Sequence, residues 1–292
     1  MTSNQTENGS GERGATDVAR ALDRGEIQAH FLPKVDLRSA RVVGVEGLAR
    51  WIHPTRGVIP AGSFMDLIAD GGHHRALTEK VLEFSTRAAG DWWRSGLGLQ
   101  LSLNLPLGPV AANWNLPQLV TDALAASGLP GDALQFEVTE DGLLADPEIA
   151  AGLLGDLNEL GATISIDDFG TGHFSLRQLK RLPLEELKLD RSLISGLDEE
   201  ENRSIVRSTI HLAHQMGIQV VAEGVESETA WRQLRSMGCE RAQGYLIAKP
   251  LPAREVPAWL ASWNQRARDL SSTRPRRLRR AASRKRREVT AA

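Results

Sequence analysis

The stretch from Ile164 to Leu176, ISIDDFGTGHFSL, most constrains how this chain can fold. It begins as a short apolar run typical of a buried strand, reaches two adjacent carboxylates, Asp167 and Asp168, and then enters a glycine-rich turn. Neighbouring carboxylates repel each other and are costly to remove from water, so a strand that ends on such a pair favours a cation site. For this pair alone, the alternative is that Asp168 caps the following helix and Asp167 is hydrated.

Strands and helices alternate along most of the chain. The period-2 and apolar runs predict eight strands: Gln28–Leu37, Arg41–Trp51, Leu99–Leu105, Leu134–Thr139, Thr163–Asp167, Glu186–Leu189, Gln219–Glu223 and Ala242–Gly244. The predicted helices are Thr16–Gly25, a segment that starts at Pro60, and then Arg75–Ser95, Leu116–Ala126, Pro147–Leu160, Ser175–Arg181, Glu199–Met216, Glu228–Met237 and Ala253–Trp263. This order predicts a single-domain α/β fold, a TIM-like (β/α)8 barrel. The first two strands form a hairpin, so one strand near the N-terminus is expected to be antiparallel.

Composition divides the chain into three parts. Residues 1–15 are polar and are predicted to be a disordered leader, and residues 16–265 are predicted to form the barrel. Residues 266–292 contain eleven Lys and Arg against two acids, so the overall net charge of −2 leaves about −11 on residues 1–265. The acidic body fits a metal-using site and argues against a nucleic-acid surface on the barrel. The basic tail is predicted to be disordered and hydrated, or alternatively to contact anionic lipid or RNA.

Several sequence features limit the cellular compartment and the kinds of site that this chain can have. The single cysteine, Cys239, excludes an internal disulfide framework, and no apolar run approaches the roughly 18 residues that span a bilayer. The N-terminus lacks an apolar signal segment, so a cytoplasmic protein without a transmembrane segment is expected. His211 and His214 lie one helical turn apart and could share a metal, but an ordinary helix face is the favoured interpretation.

Strand after strand carries a polar side chain toward one edge of the predicted sheet. The residues are Glu46, Asn104, Glu137, Asp167, Asp168, Lys188, Glu223 and Gln243. In such barrels chemistry gathers at the carboxyl ends of the strands. Carboxylates and an amide, without His or Cys, indicate Mg²⁺ or Mn²⁺, and four or more acids can hold two ions for displacement at phosphorus. An ammonium such as Lys188 can hold a water or offset charge on a phosphoryl oxygen.

Seven motifs in order make a family resemblance specific. They are EGLAR at 46–50, SLN at 102–104, EVTE at 137–140, DDFGTG at 167–172, LKLD at 187–190, AEGVE at 222–226 and AQGY at 242–245. Together they closely resemble the motifs of EAL domains, the cyclic di-GMP phosphodiesterases of bacterial second-messenger signalling. The resemblance covers about residues 16–260. It implies metal-dependent hydrolysis of cyclic di-GMP to linear 5′-pGpG.

The resemblance also implies roles for individual residues. The implied metal ligands are Glu46, Asn104, Glu137, Asp167 and Asp168, with Glu223 also near the ions. The implied catalytic residues are Glu46 and Lys188, which contacts the attacking water. Our own candidate for the residue that takes the proton of this water is Glu223. The implied substrate-binding residues are Leu48, Arg50, which faces a phosphate, and Gln243. Glu140 and Glu226 are implied to hold the glycine-rich loop, which the family ties to dimerisation and metal occupancy, so a homodimer is expected.

Three positions depart from the family pattern. Leu32 stands where the family has a glutamine that faces a guanine, and loss of one such hydrogen bond is typically worth about 0.5–3 kcal/mol. Gly47 replaces the alanine of the namesake motif, a change expected to leave Glu46 in place. His173-Phe174 alters the glycine-rich loop and, with it, the expected dimer contact.

These departures support an alternative function. The barrel could be a catalytically degenerate receptor for cyclic di-GMP, or a protein-interaction module, in which case it binds nucleotide without turnover. A third possibility is a nucleic-acid or membrane adaptor, which predicts that deletion of residues 266–292 abolishes function while Glu46→Ala does not.

Overall fold

The computed structural model describes residues 16–108, 114–169 and 182–271. The strands within these ranges are β1 (Ile27–Asp36), β2 (Val42–His53), β3 (Gly57–Pro60), β4 (Gln100–Asn104), β5 (Leu134–Thr139), β6 (Thr163–Phe169), β7 (Leu184–Leu189), β8 (Gln219–Ala222), β9 (Arg241–Ala242) and β10 (Leu251–Pro252). Eight of them close a ring in the order β1-β2-β4-β5-β6-β7-β8-β9, and β9 returns to β1. The predicted TIM-like barrel is therefore confirmed.

Strand β1 runs against the rest of the barrel. It pairs antiparallel with both β2 and β9, whereas the other neighbouring strands of the ring are parallel. The expected antiparallel strand near the N-terminus is thus observed. Short strands β3 and β10 extend β2 and β1 outside the ring.

Helices surround the ring. They are α1 (16–23), α2 (Met65–Asp70), α3 (His74–Arg94), α4 (Leu116–Ser127), α5 (Glu140–Ala145), α6 (Pro147–Glu159), α7 (Arg191–Ser195), α8 (Glu200–Gln215), α9 (Glu228–Met237) and α10 (Val256–Ser271). None of the helices in the described ranges is long and apolar enough to cross a bilayer. The predicted helix Ser175–Arg181 lies outside the described residues.

Some elements differ from the sequence prediction. Strand β3 and the short helices α5 and α7 were not expected, since four to six residues give too little periodicity. The segment after Pro60 begins as a 3₁₀ turn, Ala61–Ser63, before α2.

The largest difference lies at the end of the described chain. Helix α10 continues to Ser271, whereas residues from 266 onward were predicted to be disordered. Trp263 and Ala267 are buried against the second half of the barrel, and Leu270 packs there as well. An apolar residue every three to four positions therefore extends the helix into the basic segment.

Alternation along β1 separates an outer from an inner face. Phe31 lies outside the ring, where its ring packs edge-on against Trp92 at 4.8 Å and near Phe84 of α3 at 6.5 Å. Lys34 lies on the opposite face, inside the barrel, and is fully buried. Gly47 of β2 also faces outward, where a Cβ would lie 2.6 Å from Leu103 Cδ2. The small residue at this position allows β2 to pack closely against β4 and α3, and Glu46 then points inward.

A hydrogen-bonded charge network fills the bottom of the barrel, and we call it the floor network. Its members are Lys34, Ser102, Gln135, Glu186 and Arg241. Lys34 Nζ donates to Ser102 Oγ at 3.1 Å, Gln135 Oε1 at 2.9 Å and Glu186 Oε1 at 2.6 Å, while Arg241 donates to Glu186 Oε2 at 2.6 Å. Burial alone would raise the pKa of Glu186, but Lys34 and Arg241 outweigh it and lower this pKa. The carboxylate is therefore held ionised between two cations.

Replacement of Glu186 should destabilise the fold strongly. Glu186→Ala leaves two cations uncompensated, one of them fully buried, and we expect a loss of about 3–5 kcal/mol in the free energy of unfolding. The pKa of Glu186 in the folded state lies below its value in the unfolded state. In the wild type, the contribution of ionised Glu186 to the free energy of unfolding is therefore present above about pH 5 and is lost as the pH falls through the folded-state pKa. Urea unfolding at pH 7 and at lower pH measures both effects. Glu83→Ala, which removes an exposed pair with Arg87 on α3, is the matched control and should leave the midpoint almost unchanged. Equal midpoint shifts in the two variants would contradict the role of the floor network.

Candidate active site

The polar residues predicted from the strand ends meet at the mouth of the barrel. Asn104 ends β4, and its Cα pairs in register with that of Glu137 on β5. Asp167 lies near the end of β6, and Lys188 precedes the last residue of β7. Glu223 and Gln243 directly follow β8 and β9. Parallel strands in register therefore bring side chains distant in sequence to one end of the barrel.

Lys188 lies at the centre of this group. Its ammonium nitrogen is 2.6 Å from Glu137 Oε2 and 2.6 Å from Glu223 Oε1. It also lies 3.0 Å from Asp167 Oδ1 and 3.6 Å from Glu46 Oε2. Only 1% of its side chain is exposed. A single buried cation thus gathers four predicted acids, and we call these five residues the acid cluster.

Two amides hold Glu46 in the acid cluster. Gln243 Nε2 donates to Glu46 Oε2 at 2.6 Å and to Glu223 Oε1 at 2.9 Å. Asn104 Nδ2 donates to the other oxygen of Glu46 at 3.1 Å. Both carboxylate oxygens of Glu46 therefore have fixed positions, although this residue lies in the middle of β2.

Asp168 adds a further carboxylate beside the acid cluster. Its backbone adopts the left-handed conformation with φ of 54°, and its N–H donates to Asp167 Oδ1 at 3.0 Å. This conformation is uncommon outside glycine but accessible to aspartate. Carboxylate oxygens of Asp167, Asp168 and Glu223 all lie within 4.8 Å of one another, a spacing that could hold a metal ion.

Burial and repulsion between carboxylates raise the pKa values of these acids, whereas Lys188 and hydrogen bonds lower them. Burial, with smaller contributions from Asp167 and Glu46, raises the pKa of Glu223 to about 7 against the opposing charge of Lys188. Burial and then the charge of Glu46 raise the pKa of Glu137 well above its usual range. For Glu46 the effect of burial is outweighed by Lys188 and by the hydrogen bond from Gln243, so its pKa is lowered. The group therefore carries more acids than one ammonium can neutralise.

The donor set fits hard divalent cations. It consists of carboxylates and one amide, the oxygen ligands that Mg²⁺ and Mn²⁺ prefer. Oε1 of Glu137 is buried and has no hydrogen-bond partner among the described residues, so it is an unused acceptor inside the barrel. A buried acceptor without a donor is costly unless a cation or water meets it. The residues present thus favour a cation beside Lys188.

The remaining predicted site residues lie around this centre. Leu48 and Arg50 continue the inner face of β2 toward the mouth and are half-buried, and Arg50 Nη1 donates to the carbonyl of Ala49 at 2.8 Å. Glu140 is buried at the start of α5, and Glu226 is exposed and lies 3.6 Å from Arg191. The loop that Glu140 and Glu226 were expected to hold, with His173-Phe174, falls outside the described residues.

Sequence reasoning missed Lys34, which lies under the acid cluster. Its Nζ is 3.7 Å from Glu137 Oε1, so its charge reaches the cluster from below. The signal was available, since Lys34 is two residues from Leu32 on the inner face of a period-2 strand. His211 and His214 do not converge on one ligand: His211 hydrogen-bonds Gln215, and His214 pairs with Glu240 at 2.7 Å.

Comparisons with known proteins all indicate the same family. The EAL domain model matches residues 15–250. The bifunctional diguanylate cyclase/cyclic di-GMP phosphodiesterase MucR of Pseudomonas aeruginosa is 36% identical over 247 residues, which are 84% of this chain and 36% of that protein. An uncharacterized protein of Azorhizobium caulinodans is 40% identical over 232 residues, or 77% of this chain and 31% of that one. The chain thus spans about a third of the length of these two relatives.

Solved structures agree with the barrel described here. The PaMucR phosphodiesterase in complex with c-di-GMP is 35% identical with a TM-score of 0.79, covering 84% of this chain and 99% of that one. The EAL enzyme Bd1971 in its cAMP and cyclic-di-GMP bound form is 26% identical with a TM-score of 0.81, covering 88% of this chain and 70% of that one.

Divalent cations should stabilise the protein through the acid cluster. Mn²⁺ added to the metal-free protein at about 100 times its dissociation constant should add about 2.7 kcal/mol, a rise of several degrees in the unfolding temperature. Asp167→Asn should remove most of this rise because it removes a ligand charge. Scanning fluorimetry across a Mn²⁺ titration measures it, with Asp91→Asn on the exposed face of α3 as the matched control. An undiminished rise in Asp167→Asn would place the cation elsewhere.

Proposed function

The chain belongs to the EAL domain family, and from this membership we propose that it is a metal-dependent phosphodiesterase that hydrolyses cyclic di-GMP to linear 5′-pGpG. The observation that carries the proposal is the acid cluster around Lys188. The Lys188 ammonium lies within 3.6 Å of Glu46, Glu137, Asp167 and Glu223, and the amides of Asn104 and Gln243 donate to Glu46, which supports the proposal.

Cyclic di-GMP is the proposed substrate on two grounds. The names of similar proteins refer to cyclic di-GMP phosphodiesterase activity and to c-di-GMP complexes. In this chain, half-buried Arg50 lies two pleats above Glu46 on the same face of β2, where a guanidinium can pair with a phosphate. Leu48 lies between them and offers an apolar contact for a nucleobase.

The proposed cofactor is a pair of Mg²⁺ or Mn²⁺ ions. Their proposed ligands are Glu46, Asn104, Glu137, Asp167, Asp168 and Glu223. When bound, such ions supply charge neutralisation at the phosphodiester and acidify water. The unpartnered Oε1 of Glu137 and the excess of acids over cations support this assignment.

Lys188 and Glu223 have separate proposed tasks. The ammonium of Lys188, fixed by four carboxylates, orients the attacking water. Glu223, whose carboxylate lies 2.6 Å from the Lys188 ammonium, accepts the proton of that water. The water oxygen bonds to phosphorus, the bond from phosphorus to the ribose 3′ oxygen breaks, and that oxygen takes a proton from solvent water to leave as the 3′ hydroxyl. Glu223 then returns its proton to solvent.

Other parts of the interpretation extend the same proposal. We propose that residues 16–265 form the catalytic unit, that Glu140 and Glu226 support the glycine-rich loop, and that the barrel forms a homodimer. Contact of the basic segment after residue 266 with anionic lipid or RNA, and a cytoplasmic location, also remain predictions.

Loss of Glu46 should abolish hydrolysis. Glu46→Gln keeps the shape of the side chain but removes a charge from the acid cluster, so 5′-pGpG formation with Mg²⁺ or Mn²⁺ should fall below detection. Chromatography of the products measures it, and Glu83→Gln on the outer surface of α3 is the matched control. Nucleotide binding by the wild type without any product would instead favour the receptor function.

Lys188→Met should separate turnover from binding. The ammonium acts on the water rather than on the nucleotide, so kcat should fall by about 10²–10⁴-fold. The dissociation constant for cyclic di-GMP should change little. Steady-state kinetics and equilibrium binding distinguish the two, with circular dichroism as the check on folding. A variant that keeps its kcat would exclude the proposed role of Lys188.

A further inference from the structure

Three inward side chains rise along β1 from the floor of the barrel to its mouth. Lys34 is the lowest, since its ammonium bonds to the floor network. Side chains two residues apart share a face of a strand at a spacing of about 7 Å, so Leu32 and then His30 follow above it. Phe31, between them, packs outward on α3. Because β1 is antiparallel to β2, its N-terminal end reaches the mouth where Leu48 and Arg50 lie.

The strand register places His30 beside the candidate active site. Its Cα pairs with that of Leu48 on β2, two residues beyond Glu46. Arg50 is an electrostatic neighbour of His30 and also of Glu46 and Tyr245. The ring of Tyr245 is 56% exposed at the same rim, with Lys249 Nζ 5.7 Å from its centroid. His30 is therefore part of the wall of the mouth and not of a remote surface.

The pKa of His30 lies below its usual range, so its imidazole is neutral at pH 7. Burial, followed by the charge of Arg50, lowers this pKa, while Glu255 and a backbone interaction with Pro250 oppose the shift and Arg254 adds to it. In a neutral imidazole that donates through one nitrogen, the other is an acceptor.

We propose that His30 is a specificity-determining residue, whose second ring nitrogen accepts a hydrogen bond from the guanine edge of a nucleotide bound over Leu48. The inference rests on the proposed function and adds a residue to that site. Leu32, one pleat below, has no polar side-chain atom, so it offers the base no hydrogen bond from its side chain.

The chemistry selects guanine over adenine. The Watson–Crick edge of guanine carries a ring N–H beside an amino group, so it presents two adjacent donors to an acceptor. The same ring position of adenine is itself an acceptor and would face the His30 lone pair without a proton between them. A site built to hydrogen-bond one edge disfavours an analogue that lacks the donor, since the protein acceptor is then left unpaired.

The test compares His30→Leu with His30→Gln in the full chain. Calorimetry in EDTA gives dissociation constants for cyclic di-GMP and cyclic di-AMP, and Mn²⁺ assays with cyclic di-GMP give kcat and KM. His30→Leu should weaken cyclic di-GMP binding and raise KM by about tenfold, the effect of one hydrogen bond, with kcat within about twofold. Binding of cyclic di-AMP should change by less than about twofold. His30→Gln, which keeps a donor and an acceptor, should regain most of the affinity. His211→Leu on the outer face of α8 is the matched control.

The outcomes separate this inference from the proposed function. If the wild-type protein binds cyclic di-GMP without hydrolysing it, the proposed phosphodiesterase activity is wrong. The dissociation constants of the His30 variants still test whether His30 contributes to guanine binding. Equal losses for both nucleotides, no loss in His30→Leu, or no recovery in His30→Gln overturns the role of His30 alone. Wild type that neither binds nor hydrolyses cyclic di-GMP overturns both.

Discussion

The buried ammonium of Lys188 is the interaction on which the mouth of this barrel depends. Four carboxylates, three on strands and one directly after β8, lie within 3.6 Å of it, and like charges at such spacing would separate without a cation between them. One positive charge brings the acids together but does not neutralise them. The arrangement therefore combines a fixed geometry with an unsatisfied demand for positive charge, which is the condition for selective binding of a hard cation. The clustering of the acids around Lys188 and their need for a further cation therefore have the same electrostatic origin.

The floor network makes the acid cluster possible from below. The three hydrogens of the Lys34 ammonium are directed to Ser102, Gln135 and Glu186, so the nearby Glu137 receives its charge at 3.7 Å without a hydrogen bond. The charge of Lys34 offsets part of the negative potential, while Oε1 of Glu137 stays available as an acceptor. A barrel filled with aliphatic layers would close the same ring of strands but would leave the acids above it without the additional positive charge of Lys34.

Much of the barrel and of the acid cluster could be predicted from the sequence, because the strand period and the position of a residue in its strand determine where its side chain lies. Strand alternation assigned Glu46 to the inner face, and alternating elements predicted the parallel ring that gathers Glu137, Asp167 and Lys188 at one end. Sequence could not give the left-handed conformation of Asp168, because aspartate permits this conformation without requiring it. Nor could it separate residues 266–271 from the basic tail, because the Arg-rich composition there masked the apolar face formed by Ala267 and Leu270.

The reversed first strand changes where recognition residues are found. In a barrel of parallel strands alone, mouth residues lie at or beyond the carboxyl end of each strand, and a search of strand ends finds them. Strand β1 enters from the mouth, so its contribution precedes its core residues: His30 comes before Leu32 and Lys34 in the chain but above them in the barrel. A search for polar strand ends therefore finds the acids and overlooks His30. Antiparallel entry also places β1 beside β2, so residues from the two strands pair across the mouth, as His30 and Leu48 do. Strand β1 itself carries none of the proposed metal ligands. In the proposed site, a substitution at His30 can therefore change nucleobase selectivity without removing a residue of the acid cluster.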